Sequence, residues 1–139
     1  MSGSAPLQVL VTHGGKFHCD EVFAYAVLRL ALGLEQPGVD HVLRRTRKAE
    51  LIESGDIVWD VGFVFDAARG RFDHHQRGAP VRGDETPFSS AGLVWQVYGV
   101  HAVAALLGED RFAAAIASEL DATVVKRIDE LDKDRKSVV

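Results

Sequence analysis

The 139 residues carry 16 Lys and Arg against 20 Asp and Glu, a formal charge of −4, with 47% hydrophobic and 26% charged residues. Those proportions describe one globular domain with a real core. They exclude a disordered chain, a collagen-like repeat and a globally basic polyanion binder, while a local basic patch stays compatible with them. The lone cysteine, Cys19, excludes an internal disulfide framework and fits a reducing compartment. No clean apolar run reaches the roughly 18 residues that span a bilayer, and MSGSAPLQVLV lacks the basic region of a signal peptide. The expectation is a soluble, cytoplasmic protein with no membrane partner.

Residues 1–6 read as a flexible lead-in. Residues 7–12 (LQVLVT) are a short apolar run that predicts a buried strand, and HGGKFHC after it carries the Gly pair of a loop. A long apolar segment opening at Asp20 predicts a helix stopped by Gly33, with Asp20 and Glu21 complementing the dipole in its first turn. Residues 40–46 (DHVLRRT) are a second strand, KAELIES a short helix, and residues 56–61 (DIVWDV) a third strand. Residues 63–66 and 71–73 flank AARG and read as a hairpin or two short strands. Residues 76–87 form a loop, after which Ser89 or Ser90 caps a helix that ends at Gly99. A further helix runs to Gly108. The tail over 109–134 predicts a helix with an apolar stripe of Phe112, Ile116, Leu120, Val124, Ile128 and Leu131.

Strand alternating with helix is the pattern of a mostly parallel α/β sheet flanked by helices. Such sheets bind ligands at the carboxyl ends of their strands, and three strands here end in chemistry-bearing residues. The first runs into His13-x4-His18-x-Asp20, the third into Asp60, and the hairpin into Asp73-His74-His75. Imidazole and carboxylate without cysteine suit Mn²⁺, Zn²⁺, Fe²⁺ or Co²⁺. The candidates outnumber what one ion needs, which points to two metals sharing a bridging carboxylate, and Asp60 on the central strand is the natural bridge. Two-metal sites of this composition suit hydrolysis at phosphorus. Lys16, Arg77 and Arg82 lie in the relevant loops and are candidate phosphate contacts, with solvated surface charge as the other reading. The run Arg44-Arg45-Thr46-Arg47-Lys48 either opens a helix or guides a polyanion. Cys19 reads as a bystander, and Trp59 and Trp95 as core.

These residues resemble the DHH phosphoesterase superfamily, and more closely the melanocyte-proliferating-gene family, whose members have been labelled metal-dependent protein hydrolases and are now viewed as RNA exonucleases. The matching stretches are THGGKFHCDE (12–21), RTR (45–47), DIVWDVGFVFD (56–66), RFDHHQRG (71–78) and FSSAGLVWQVYG (88–99), with IDELD (128–132) weaker. The resemblance implies a phosphodiesterase using two divalent ions, Mn²⁺ first and Mg²⁺, Co²⁺ or Zn²⁺ as alternatives. It implies a 3′→5′ exonuclease acting on RNA or short oligonucleotides. By analogy His13, His18 and Asp60 would hold one ion, and Asp20, Asp60 and His74 the other, completed by Asp132 in preference to Asp129. His75 would touch the scissile phosphate or protonate the leaving oxygen, making His75 and Asp60 the catalytic pair. Family members are about twice this length, so residues 7–139 are expected to be the N-terminal metal-binding domain without the domain that closes over substrate. Weak activity and self-association through the uncovered face are further expectations. A metal- or nucleotide-binding domain without catalysis, and a hydrolase of pyrophosphate or a dinucleotide, are the alternatives.

Overall fold

A strand that must pair in parallel with a later strand needs a crossover, which a helix most often supplies. A computed structural model describes residues 7–137, with side chains through Asp132; the lead-in expected over residues 1–6 lies outside the described residues. In chain order the elements are β1 (Gln8–Thr12), α1 (Cys19–Leu32), β2 (His41–Arg45), α2 (Ala49–Glu53), β3 (Ile57–Trp59), β4 (Phe65–Asp66), β5 (Arg71–Phe72), α3 (Ser90–Leu107), α4 (Ala113–Leu120) and α5 (Lys126–Ser137). The sheet order is β2-β1-β3-β5-β4, parallel throughout except where β4 turns back on β5. The α/β class is as the sequence pattern predicts, and of the two readings of the segments flanking AARG the hairpin is the one found.

Alternation along each strand sorts its side chains between the two faces. Leu10, Ile57, Trp59 and Phe72 join Ala24, Val27 and Leu28 of α1 and Leu93 and Val94 of α3 in the main core. Val11 and Val58 fall in a separate small cluster with Val61, packed against Val9 and Ile52 of α2. Trp59 and Trp95 are both core, as expected, and each indole N–H finds a carbonyl: Trp59 donates to Glu21 and Trp95 to Ala117.

Two sequence expectations are corrected. The helix expected to stop at Gly99 runs on to Leu107. A Cβ at Gly99 would stand 2.6 Å from Trp95 Cε2, so this glycine makes room for the indole rather than ending the helix. Its helix-propensity cost of about 1 kcal/mol is offset by burial of Trp95. The unbroken α3 is long and apolar enough to cross a membrane by length and composition alone, a run the sequence reading split in two; half of it is buried inside the fold.

The tail differs more. Between α4 and α5 the five residues Asp121–Val125 form a π-helical turn. An extra residue in one turn rotates everything after it by about 100°. The inward face is therefore Ala113 and Ala117, then Val125, Ile128, Asp129 and Asp132, while Phe112, Ile116, Val124 and Leu131 of the expected stripe are exposed. The turn thus carries two carboxylates into the fold.

Asp129 packs against the start of α3. Its Oδ1 accepts from the Ser89 backbone N–H at 2.9 Å and hydroxyl at 2.7 Å, and Ser89 in turn caps α3 by accepting from the Gly92 N–H at 3.2 Å. A methyl group on Gly92 would collide with the Asp129 carboxylate and lie 2.9 Å from Phe88 Cδ1. Gly92→Ala is therefore expected to destabilise the protein by about 1–3 kcal/mol through overpacking, although alanine is the better helix former. Urea unfolding checks it, and an unchanged or raised midpoint would contradict this packing.

Candidate metal centre

β1, β3 and β5 are adjacent and parallel, so their carboxyl ends share one edge of the sheet. Each is followed at once by a residue of the site: His13 after β1, Asp60 after β3, and Asp73, His74 and His75 after β5. Strands lie about 4.8 Å apart, which is why residues remote in sequence meet there. The start of α1 adds His18, Asp20 and Glu21, and α5 adds Asp132 from behind.

The His13 ring is fixed by its neighbour. Nδ1 lies 2.8 Å from the Gly14 carbonyl oxygen, which can only accept, so in the neutral ring the proton sits on Nδ1. Nε2 then presents its lone pair to Glu21 Oε1 at 2.8 Å and Asp60 Oδ2 at 3.2 Å. Glu21 is held in turn: Oε1 accepts from the His18 backbone N–H at 2.9 Å, and Oε2 lies 3.0 Å from the Thr12 hydroxyl.

Asp60 is the hub. Its φ of +61° puts it in the left-handed region, a conformation that costs a residue with a Cβ about 1 kcal/mol or more and that turns the chain sharply at the end of β3. The carboxylate is buried, with Oδ1 3.6 Å from His74 Nδ1, 3.9 Å from His75 Nε2, and 3.3 Å from the Ser90 hydroxyl that donates to it. Burial first, and the charges of Asp20, Asp132 and Asp73 with it, push its pKa up to about 8, while His75 opposes the rise. A carboxylate so buried among other acids keeps its charge at neutral pH only with a cation beside it.

The two histidines after β5 are oriented by different partners. His74 Nδ1 lies 2.9 Å from the Ser90 hydroxyl, and Nε2 lies 3.1 Å from Asp132 Oδ2. His75 Nδ1 lies 2.5 Å from Asp73 Oδ1. That carboxylate is pinned by the backbone N–H groups of His74 (2.8 Å) and Phe63 (2.6 Å). The hydrogen bond to Asp73 raises the pKa of His75; burial works against it, and the charges of Asp73, Asp60 and Asp132 add to the rise.

The donors form three overlapping groups, each with ligand atoms within 4.8 Å of one another: His13, His18, Glu21 and Asp60; Asp60, Asp73, His74 and His75; and Asp20, His74 and Asp132. Two features fit a divalent cation. Both carboxylate oxygens of Asp20 are buried without a hydrogen-bond partner among the described residues, as is Nε2 of His13. Stranded acceptors of this kind are costly in a protein interior unless something positive meets them. The donor set, imidazole and carboxylate without thiolate, suits a first-row divalent ion.

The structure brings together His13, His18, Asp20, Asp60, His74 and Asp132, and sets Asp132 rather than Asp129 towards the centre. It groups Asp20 with His74 and Asp132 without Asp60, where the analogy placed Asp60 as well. Arg82 departs from expectation: it is not a loop cation awaiting phosphate. Its Nε donates to Asp129 at 2.6 Å and its two terminal nitrogens each donate to Asp121 at 2.9 Å. Lys16 and Arg77 are exposed on the loops that leave His13 and His75, with no ion pair among the described residues. Cys19 is exposed.

Sequence reasoning missed Glu21 and Ser90 as parts of the centre and left Asp73 unassigned. Glu21 follows Asp20 directly, and its place beside an expected N-terminus made dipole compensation a sufficient account. Ser90 lies beside the true cap, and no local signal separates the two serines.

Fold and donors together define an α/β domain whose strand ends gather buried His/Asp/Glu clusters of the kind that can hold metal. The chain matches the MYG1 exonuclease family model, described as Uncharacterised protein family (UPF0160), over residues 9–137, and it belongs to that family. It is 42% identical over 104 residues to MYG1 protein C27H6.8 of Caenorhabditis elegans, covering 70% of this chain and 29% of that protein. With the human MYG1 exonuclease it shares 38% identity over 132 residues, 87% of this chain and 34% of the relative. With MYG1 protein YER156C of Saccharomyces cerevisiae it shares 32% over 132 residues, 93% and 38% respectively. The chain thus spans about a third of the length of these curated relatives, not the half that the expected family length implies. No solved structure matches it.

Proposed function

We propose that this chain is the metal-binding part of a divalent-metal-dependent phosphodiesterase that removes nucleotides from an RNA or oligonucleotide end in the 3′→5′ direction, in the cytoplasm and away from membranes. The observation that carries the reading is the set of three overlapping His/carboxylate groups, joined by Asp60 and His74, with the bare Asp20 carboxylate buried among them. Membership of a family whose human relative is named an exonuclease supports it.

His13, His18, Glu21 and Asp60 would hold one ion, and Asp20, His74 and Asp132 the other, with Mn²⁺ the favoured metal. Such ions lower the pKa of bound water and neutralise charge on phosphoryl oxygens. The chain's own residues do the rest. The Gly14 carbonyl and the Ser90 hydroxyl hold His13 and His74 with the opposite ring nitrogen turned to the carboxylates. Asp73 holds His75 by Nδ1 and sustains its protonated form, so His75 can give a proton from Nε2 to the departing oxygen. Lys16 and Arg77, exposed beside the site, would meet substrate phosphates.

The test is a 5′-labelled RNA oligonucleotide incubated with the chain and Mn²⁺, beside a version carrying the full length of a relative. Stepwise shortening from the 3′ end is expected, abolished by EDTA. His75→Asn should slow it by roughly 100-fold or more, the range for a lost general acid. Metal-dependent stabilisation without cleavage of any phosphodiester would replace catalysis with binding. Fast pyrophosphate hydrolysis beside inert RNA would move the substrate class.

A further inference from the structure

Next to the centre lies a cleft of about 400 Å³ whose walls include Arg47, Ile52, Val61 and Phe63 together with Asp60 and His75 of the centre itself. Its volume falls within the range of small-ligand sites. Phe63 stands at its lip in an unusual state. Its φ is +62°, a backbone conformation that bulky side chains rarely adopt, and its ring is 69% exposed. Neither local conformation nor core burial accounts for an aromatic residue there. The backbone of Phe63 is nonetheless tied to the centre: its N–H donates to Asp73 Oδ2 at 2.6 Å, and Asp73 is the residue that orients His75. The Phe63 and His75 rings meet edge to face, with centroids 6.4 Å apart.

Arg47 is exposed at the cleft and makes no ion pair among the described residues. Glu53, also on the wall, is exposed and lies 3.8 Å from Arg69. The cleft thus brings together an aromatic ring, two aliphatic side chains and a guanidinium on walls that also include the histidine. Pyrophosphate would leave the apolar part of it without a function, whereas a nucleoside has a π-face to lay on the ring.

We propose that this cleft is a nucleobase subsite, in which Phe63 stacks on the base of the nucleotide next to the metal centre and Arg47 contacts its base edge or phosphate. The inference deepens the phosphodiesterase reading and rests on it for the placement of the phosphate. It makes Phe63 a positioning residue that sets a preference for nucleotides over other phosphate esters.

Calorimetric titration of this chain with adenosine 5′-monophosphate and with ribose 5-phosphate, in Mn²⁺ buffer, isolates the base because the phosphate is common to both. The nucleotide is expected to bind at least tenfold more tightly. Phe63→Gly is expected to erase that preference while melting no lower than the parent, since glycine accepts the positive φ; Phe63→Tyr is expected to keep it. Equal affinity for the two ligands, or no measurable nucleotide binding, would overturn the subsite. So would a Phe63→Gly variant that keeps the preference, or one that unfolds many degrees earlier, which would show the ring to be packing. A nucleotide preference that persists in a chain cutting no phosphodiester would sink the catalytic reading and leave the subsite standing.

Discussion

Asp60→Asn is expected to separate stability from metal response. Without metal the variant should melt at or above the parent, because the neutral amide ends the crowding of a buried carboxylate whose pKa stands near 8 through burial and the nearness of Asp20. Asparagine also tolerates the left-handed backbone at this position. With Mn²⁺ the order should reverse. A ligand at a hundred times its Kd adds about 2.7 kcal/mol to stability, on the order of 10 °C for a domain of this size. The parent should show that rise and Asp60→Asn should not, since the residue belongs to two of the three donor groups. Cleavage of RNA should fall below detection. Thermal scans in EDTA and in Mn²⁺ give the answer, and an equal metal shift in both proteins would remove Asp60 from the centre.

Arg82→Ala should cost more stability than any other single surface-loop change. The guanidinium is mostly buried, cross-links Asp129 and Asp121 by three hydrogen bonds, and lies 4.8 Å from the Phe88 ring. Its removal strands Asp129, a carboxylate already raised in pKa by burial and held down only by Ser89 and Arg82. Breaking a buried pair from one side costs about 3–5 kcal/mol, and the partial exposure of Asp121 places this case at about 3. Because Arg82 ties the π-helical turn to α5, the variant should also weaken Mn²⁺ binding through a displaced Asp132. Urea unfolding at fixed pH measures the first effect. A loss under about 1 kcal/mol would show the contacts to be surface decoration, and would restore Arg82 as a candidate for substrate phosphate.

The contrast between these residues explains how far the chain could be read without coordinates. His13, His18, Asp20, Asp60 and His74 were visible because each sits just past an apolar strand or at a helix start, and parallel strands bring such positions to one edge regardless of detail. Arg82 looked equally plausible as a phosphate contact, because a loop arginine near the motifs is the same whether it faces solvent or two aspartates. Gly99 looked like a helix stop because its neighbour Trp95 acts on it through packing, and packing leaves no mark on local propensity.

The order of strands and helices, the parallel class of the sheet and the chemical character of the centre followed from local pattern: apolar runs, turn residues and imidazoles beside carboxylates. The choice between Asp129 and Asp132 did not. They lie three residues apart on one helix face, and a single π-helical turn, locked by Arg82, sets how that face is rotated. Long-range contacts decide such a rotation, and so they also decided that one aspartate braces the scaffold while the other meets His74.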